Sequence, residues 1–183
     1  SADLYVQVVI DLVRSLLHGG FRRIVLLNGH GGNITPVKQA LSLLSKEFDS
    51  QFPCYIALAT YWELGGTAFS GDQPMESPAL SHACEYETSL MLHLFPQKVQ
   101  MEKAKRATRP AQNGYIAFED DIPYRGVSIV KQTAFISGNG SSGEPQLGTK
   151  EKGAHLFQKA LSALVRFTDD FATWPLLDNL KNK

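Results

Sequence analysis

The segment Leu26-Leu27-Asn28-Gly29-His30-Gly31-Gly32-Asn33 constrains the fold more than any other part of the chain. It follows an unbroken apolar run, Ile24 to Leu27, which is typical of a parallel strand covered on both faces. The surrounding glycines permit backbone conformations that other residues avoid, so we expect His30 to stand clear at the carboxyl end of this strand. Ligands bind at that edge of open α/β sheets, although a histidine there can also merely satisfy a backbone group.

Helices and strands are predicted to alternate along the first third of the chain. Apolar residues recur at helical spacing over residues 1–18, and Gly19-Gly20 ends that helix. The predicted strand 23–27 follows, then a helix over 34–48 with Asn33 or Thr35 as cap, then a strand over 53–59. Short connections in the order α, β, α, β predict parallel strands joined by right-handed crossovers. The sequence therefore indicates an α/β domain.

The rest of the chain alternates less regularly. We predict a loop over 60–81, a helix over 83–95, a strand over 126–135, a glycine-rich loop over 137–145 and a helix over 149–168. Thr149 is the expected cap of the last helix, and its predicted inward residues are Ala154, Phe157, Leu161, Leu164 and Val165. Three aromatic residues in the first loop either line a pocket or anchor the loop to the core: Tyr61, Trp62 and Phe69. The glycine-rich loop lacks the spacing of a nucleotide-binding P-loop.

Composition narrows the class of protein. The chain has 183 residues, of which 43% are hydrophobic, so we expect one domain over residues 1–183. The chain has no net charge, so it lacks the excess of basic residues that is typical of nucleic-acid-binding proteins. No stretch approaches a membrane span, and two cysteines, Cys54 and Cys84, fit a reduced setting better than a disulfide framework. We therefore expect a cytoplasmic protein with neither nucleic-acid nor membrane partners.

A second group of reactive side chains lies in Ser81-His82-Ala83-Cys84-Glu85-Tyr86-Glu87-Thr88-Ser89. If the predicted helix includes them, His82 and Glu85 share one face and Glu87 lies round the axis. Histidine and glutamate on one face can ligate a divalent cation together or serve as a proton-transfer pair. The acidic residues can equally favour the start of a helix. This stretch alone leaves both interpretations open.

The two motifs together resemble the creatininase (creatinine amidohydrolase) family. The resemblance continues in Gly143-Glu144-Pro145, Thr149 and Glu151-Lys152-Gly153, which are similar to the family's later Gly-Asp-Pro, Ala-Thr and Glu-Lys-Gly motifs. Glu144 replaces the usual aspartate, and Cys84 stands where glycine is common. The resemblance spans most of the chain. It implies a three-layer α/β/α sandwich with a mainly parallel central sheet.

The resemblance also implies an activity and a set of residues. Creatininase-like enzymes hydrolyse non-peptide C–N bonds, often of cyclic amides or formamides, with water activated by one or two divalent metals. Zinc is the first expectation, with manganese or iron as alternatives, and the substrate is a small amide. Carried over by position, His30 and Glu85 are metal ligands, and His82 transfers a proton or orients the substrate. Glu87 is the second catalytic candidate and the alternative to Glu85 as metal ligand. Hexameric assembly is expected from the same resemblance.

Departures from the family leave a second hypothesis open. Creatininase has a carboxylate at the position of Gly32, so creatinine is not the favoured substrate. The family's other ligands, a Glu-x-His pair and an aspartate, are expected on a segment upstream of Ser1. A strand bearing them has to lie beside Ile24–Leu27, and one shared ion would bring His30 and Glu85 within about 5 Å. The alternative is a creatininase-like binding or oligomerisation module without catalysis.

Overall fold

A computed structural model describes residues 1–48, 51, 53–66, 75–77, 80–106 and 137–176 of the chain. Its elements are α1 (Ala2–His18), β1 (Arg23–Asn28), α2 (Ile34–Phe48), β2 (Tyr55–Thr60), α3 (Tyr61–Gly65), α4 (Glu85–Leu94) and α5 (Lys150–Thr173). The chain divides into two compact units, Ser1–Leu64 with Ala163–Lys183, and Gly65–Ser162. Among the described residues, no helix has the length and apolar character that crossing a membrane requires.

A parallel pair of strands, β1 and β2, forms the sheet of the first unit. Their register runs from Arg23 opposite Tyr55 to Asn28 opposite Thr60, so both strands end at the same edge. The predicted order of helices and strands is confirmed here, and both strands extend one residue beyond their predicted ends. The described residues contain no further strand beside β1. The strand expected there stays a prediction.

The core of the first unit lies between α1, α2 and β1. Each helix turns one apolar stripe inward, because its apolar residues recur every three or four positions. The buried side chains are Val6, Val9, Ile10, Val13, Leu17, Ile24, Val37, Ala40, Leu44 and Phe48. An ion pair joins the two helices on the outside, where the Arg14 guanidinium donates to both oxygens of Glu47 at 2.7–3.0 Å.

The end of α5 is fastened to the amino-terminal ends of both strands. The Arg23 guanidinium donates to the carbonyl oxygen of Trp174, at 3.1 Å from Nε and 2.5 Å from Nη2. The Tyr55 hydroxyl donates to the carbonyl oxygen of Pro175 at 2.9 Å. The Trp174 ring lies edge-on to Tyr55, with ring centroids 5.6 Å apart. These contacts leave the opposite, carboxyl edge of the strands to the His30 turn.

In the second unit, α4 packs against the first turns of α5. A side chain at Gly153 would collide with the carbonyl of Ser89, so only glycine allows this close approach. Thr149 caps α5 as predicted, because its Oγ1 accepts a hydrogen bond from the Lys152 amide at 3.2 Å. The Thr149 amide in turn donates to Ser89 Oγ at 3.1 Å. The start of α5 is thus held to α4 by the close contact at Gly153 and by the hydrogen bond from Thr149 to Ser89.

Three sequence predictions need correction. Helix α4 begins at Glu85 rather than at residue 83, because Ala83 has a positive φ of 46°. The inward face of α5 is wrong for Leu161 and Val165, which are 42% and 49% exposed. The buried face instead contains Gly153, Leu156, Ala160 and Ala163. Gly153 meets the Ser89 carbonyl, and Leu156 packs with Cys84 and Tyr86. Helix α5 also runs five residues past its predicted end at residue 168.

The predicted loop over 60–81 is wrong at its start, where α3 forms a short helix over Tyr61–Gly65. Trp62 is 8% exposed and Tyr61 packs edge-on against it, with ring centroids 5.0 Å apart. Trp62 therefore anchors this segment rather than lining an open pocket. Phe69 and the predicted strand over 126–135 lie outside the described residues. Both cysteines are free, as expected without a disulfide framework.

Candidate functional site

His30 lies directly beyond the carboxyl end of β1, in a turn organised by the side chain of Asn28. The side-chain Nδ2 of Asn28 donates to the backbone carbonyl of His30 at 2.8 Å, and the backbone amide of His30 donates to Asn28 Oδ1 at 3.2 Å. These two bonds close the turn locally, as asparagine side chains commonly do. His30 itself is extended, exposed and placed immediately before a 3₁₀ turn at Gly31–Asn33. The exposed position predicted for His30 is confirmed.

The ring of His30 is oriented by Gly32. The Gly32 amide donates to Nδ1 at 3.0 Å, so Nδ1 acts as an acceptor and the neutral ring carries its proton on Nε2. In histidines that bind a metal, the other ring nitrogen usually donates a hydrogen bond. A Cβ at Gly32 would lie 3.0 Å from His30 Cε1, which is tighter than ordinary contact. A metal at Nε2 therefore requires the ring proton to move to Nδ1, which breaks the hydrogen bond from Gly32. A metal at Nδ1 has to replace the Gly32 amide.

Glu85 occupies a different kind of environment at the start of α4. Its side chain is 0% exposed, and its two oxygens accept hydrogen bonds from the backbone amides of Ser77 at 2.6 Å and Glu76 at 3.2 Å. Lys152 Nζ lies 2.5 Å from Oε1. The carboxylate therefore joins the 75–77 segment, α4 and α5 at one buried point.

Lys152 completes this cluster from the first turn of α5. Its Nζ also donates to the Leu147 carbonyl at 3.0 Å and contacts Glu76 Oε1 at 3.3 Å. Burial tends to lower the pKa of Lys152, but the hydrogen bonds to Glu85 and Glu76 outweigh it, and the pKa is raised. Three acceptors thus surround this ammonium group, which matches its three donors.

The surroundings of Glu85 favour its ionised form. Burial tends to raise the pKa, but the hydrogen bonds from Lys152 and Ser77 outweigh it, and the pKa lies below its ordinary value. Breaking a buried ion pair by removing one partner costs about 3–5 kcal/mol, because the other charge is left uncompensated. A metal at Glu85 would have to displace Lys152, whose ammonium group would then lose its buried partner.

His82 lies in a strained turn just before α4. Ala83 has φ 46°, a left-handed conformation that costs a non-glycine residue about 1–2 kcal/mol. Ser142 and His82 exchange two hydrogen bonds, each 2.9 Å, between the His82 amide and Ser142 Oγ and between the Ser142 amide and the His82 carbonyl. Ser141 Oγ donates to the Ala83 carbonyl at 2.8 Å. The His82 side chain is exposed.

Glu87 closes the same turn from within the helix. Its Oε2 accepts a hydrogen bond from the Ala83 amide at 2.5 Å, so the carboxylate joins the turn to the first turn of α4. With about 0.5–1.5 kcal/mol for each hydrogen bond, the four bonds to His82 and Ala83 are sufficient to offset the strain at Ala83. Because α4 begins at Glu85, the expectation that His82 and Glu85 share a helix face is wrong.

The predicted site residues therefore fall into separate groups. His82, Glu85 and Glu87 lie within the second unit, whereas His30 belongs to the first. The convergence of His30 and Glu85 on one ion stays a prediction. In the part of the chain that the structure describes, no three histidine, cysteine, aspartate or glutamate side chains are grouped so as to hold a metal. The described residues by themselves do not fit a complete metal shell.

Sequence reasoning missed the residues that hold these groups in place. Lys152 belongs to the Glu-Lys-Gly motif. It lies three residues after the capping Thr149, so its side chain can reach the residues that precede the helix. Ser141 and Ser142 lie in the glycine-rich loop, where nothing in the local pattern indicates contact with residues some 60 positions earlier. Gly143 is required there because a Cβ would meet Ser81 Oγ at 2.6 Å.

Parallel strands with a histidine-bearing turn at their carboxyl edge, followed by a helix, define a class of α/β protein. Within it, the family model Creatininase: Creatinine amidohydrolase matches residues 1–168 of this chain. The chain belongs to the creatininase family, and the α/β fold expected from the sequence is shown by similar solved structures.

Known relatives extend beyond the region that this chain covers. The mycofactocin precursor peptide peptidase of Mycobacterium tuberculosis is 29% identical over 147 residues, which are 79% of this chain and 47% of that protein. The structure named Creatininase Mn has a TM-score of 0.71 at 20% identity, and a creatininase variant of the Zn-Zn type has 0.69 at 20%. In both comparisons the match covers 93% of this chain and 65% of the other. The chain thus spans about half the length of the curated relative.

Proposed function

We propose that this chain is part of a creatininase-type hydrolase that cleaves a C–N bond in a small, non-peptide amide, cyclic amide or formamide. One observation carries the proposal: the family motif places His30 exposed at the carboxyl edge of the parallel strands, where α/β proteins bind ligands. Its turn is held by Asn28 rather than by core packing. A side chain presented in this way serves a ligand better than it serves stability.

Proton transfer is proposed for His82. Amide hydrolysis requires a proton at the leaving nitrogen, and histidine is the side chain that most often transfers one in enzymes. His82 is exposed, while its backbone is fixed by Ser142 and its neighbour Ala83 by Ser141 and Glu87. We propose that Glu87 supports His82 through the turn, because its carboxylate accepts the Ala83 amide.

A divalent metal is proposed as cofactor, because solved relatives are named as manganese and Zn-Zn forms. His30 is the residue of this chain proposed to bind it. Glu85 is the weaker of the two ligands predicted from the sequence, since Lys152 and two backbone amides already occupy its oxygens. No step of the reaction is assigned through the metal, because the described residues do not form a complete shell. Cytoplasmic location and hexameric assembly stay predictions from the sequence.

The test combines metal content with an activity panel. The purified protein is analysed for zinc, manganese and iron, and then incubated with creatinine, a cyclic amide, a formamide and a short peptide. We expect near-stoichiometric metal and release of product from a non-peptide amide, with both lost in His30→Ala. Hydrolysis of the peptide alone would contradict the proposed bond class and favour the activity named for the mycobacterial relative.

A second candidate function is a creatininase-like binding or oligomerisation module without catalysis. The observation that favours it is the Glu85–Lys152 ion pair, which commits one predicted ligand to holding the second unit together. Full-length protein that is folded, binds no metal and cleaves no amide in the panel would favour the module over the hydrolase.

A further inference from the structure

The loop 141–143 fits closely against the turn that carries His82. Ser142 exchanges hydrogen bonds with both backbone groups of His82, and Ser141 Oγ donates to the carbonyl of Ala83. A Cβ at Gly143 would overlap Cys84, so the two segments approach at backbone distance. Ser141 and Ser142 are themselves buried, at 6% and 3% exposure. The contact is therefore shielded from water, and its hydrogen bonds are not readily replaced by solvent.

The geometry points to Ser141 and Ser142 as positioning residues that hold His82 in place by keeping Ala83 in its left-handed conformation. This inference rests on the proposed role of His82 in proton transfer. Ala83 has φ 46°, which alanine adopts only when its surroundings enforce it. Neither serine is placed to act on a substrate directly. Ser142 holds the backbone of His82 and Ser141 holds that of Ala83, and the backbone of these two residues sets the direction of the imidazole.

The strained backbone of Ala83 makes the inference testable, because a substitution that removes the strain should restore what the loss of the serines takes away. Glycine adopts a positive φ without the penalty that alanine incurs. If the serines serve to enforce that conformation, Ala83→Gly should make them partly dispensable. If they serve only to attach the loop to the rest of the unit, Ala83→Gly should add flexibility and make their loss worse. The two roles thus predict opposite signs for the same substitution.

The experiment compares Ser141→Ala/Ser142→Ala with the same pair of substitutions in an Ala83→Gly background. With the amide hydrolysed in the panel, we expect kcat to fall about ten- to a hundredfold with KM nearly unchanged, and Ala83→Gly to restore part of it. Ser162→Ala is the control, since Ser162 is an exposed serine on α5. The single variants answer the same question if the double variant does not fold.

A measurement that needs no activity separates this inference from the proposed function. The three-bond coupling that reports φ of Ala83 should shift in the double variant. The NMR signals of the His82 ring should shift there too, and return toward wild type in the Ala83→Gly background. Unchanged signals, or a kcat within twofold of wild type, would overturn the inference. Wild-type protein that hydrolyses no amide would overturn the proposed function, while the NMR comparison would still decide how His82 is held.

Discussion

The His30 turn and the Glu85 cluster are built in opposite ways, although the sequence predicted both as metal ligands. His30 is exposed, and its hydrogen bonds with Asn28 and Gly32 join it to residues only two positions away. Glu85 is fully buried and bonded to segments 8–9 and 67 positions away along the chain. The first arrangement organises its own turn, whereas the second joins three parts of a unit.

The difference indicates that a reactive side chain in a motif can serve either the stability of the fold or the binding of a ligand. A buried carboxylate with a lysine partner holds structure, and its removal is felt throughout the unit. An exposed histidine on a glycine-rich turn contributes little to stability, so its presence is better explained by a ligand. We therefore expect substitutions in the Glu85 cluster to act on the free energy of unfolding, and those at His30 to act on binding.

The largest effect is expected for Lys152→Met, which leaves the buried charge of Glu85 without its partner. Methionine keeps much of the length of the side chain, so the loss is mainly electrostatic. We expect the free energy of unfolding to fall by about 3–5 kcal/mol in denaturant titration. Lys150→Met on the same helix turn is the control, because Lys150 is exposed. Equal effects of the two substitutions would show that the ion pair does not hold this unit.

A smaller but definite loss is expected for Gly153→Ala. Alanine normally stabilises a helix relative to glycine by about 0.5–1 kcal/mol, but here its Cβ would collide with the Ser89 carbonyl. We expect the collision to dominate, with a net destabilisation of about 1–3 kcal/mol. Gly138→Ala is the matched control, since no atom lies within 4 Å of a Cβ placed there. A Gly153→Ala protein as stable as wild type would mean that α4 and α5 can separate freely.

Sequence patterns predicted the first unit more completely than the second. Periodicity located α1, β1, α2 and β2 to within two residues, because each element buries its own apolar stripe. The start of α4 was missed by two residues, since the strain at Ala83 is imposed by Ser141 and Ser142 from far along the chain. The inward face of α5 was misjudged because apolar spacing alone does not show which stripe meets α4. Gly153 and Leu156 lie inward, whereas Leu161 and Val165, which have more apolar surface than Gly153, are exposed.

The candidate site was predicted to a similar, partial extent. Residue types and spacing suggested His30, His82, Glu85 and Glu87 as site candidates, which stay predictions, and the motifs correctly indicated the family. They could not show that Glu85 is bonded to Lys152, because that pair depends on how α5 packs against α4. Nor could they show which side of the His30 ring faces Gly32, since that is set by the turn rather than by the spacing.

Acid should weaken the Glu85 cluster in a defined direction. The pKa of Glu85 is lowered in the folded protein, so its contribution is complete above the pKa of the unfolded chain, about 4.3. This contribution to stability is lost as the pH falls from about 4.3 through the lower pKa that Glu85 has in the folded protein. We expect the wild type to lose stability over this range and Glu85→Gln to lose less of it, as measured by thermal unfolding against pH. Glu151→Gln, an exposed carboxylate on α5, should keep the wild-type slope.

The smallest effect on stability, and the largest on binding, is expected for His30→Ala. Its ring is exposed and its Nδ1 bond to Gly32 is local, so the free energy of unfolding should change by no more than about 0.5 kcal/mol. If His30 binds the metal, its loss should weaken metal affinity by more than the 10–100-fold typical of removing a supporting residue. Metal content by mass spectrometry and denaturant titration on the same sample measure both. His18→Ala, an exposed histidine of the same unit, is the control. Unchanged metal content in His30→Ala would remove this residue from the metal site, whereas a loss of several kcal/mol would make it structural like Glu85.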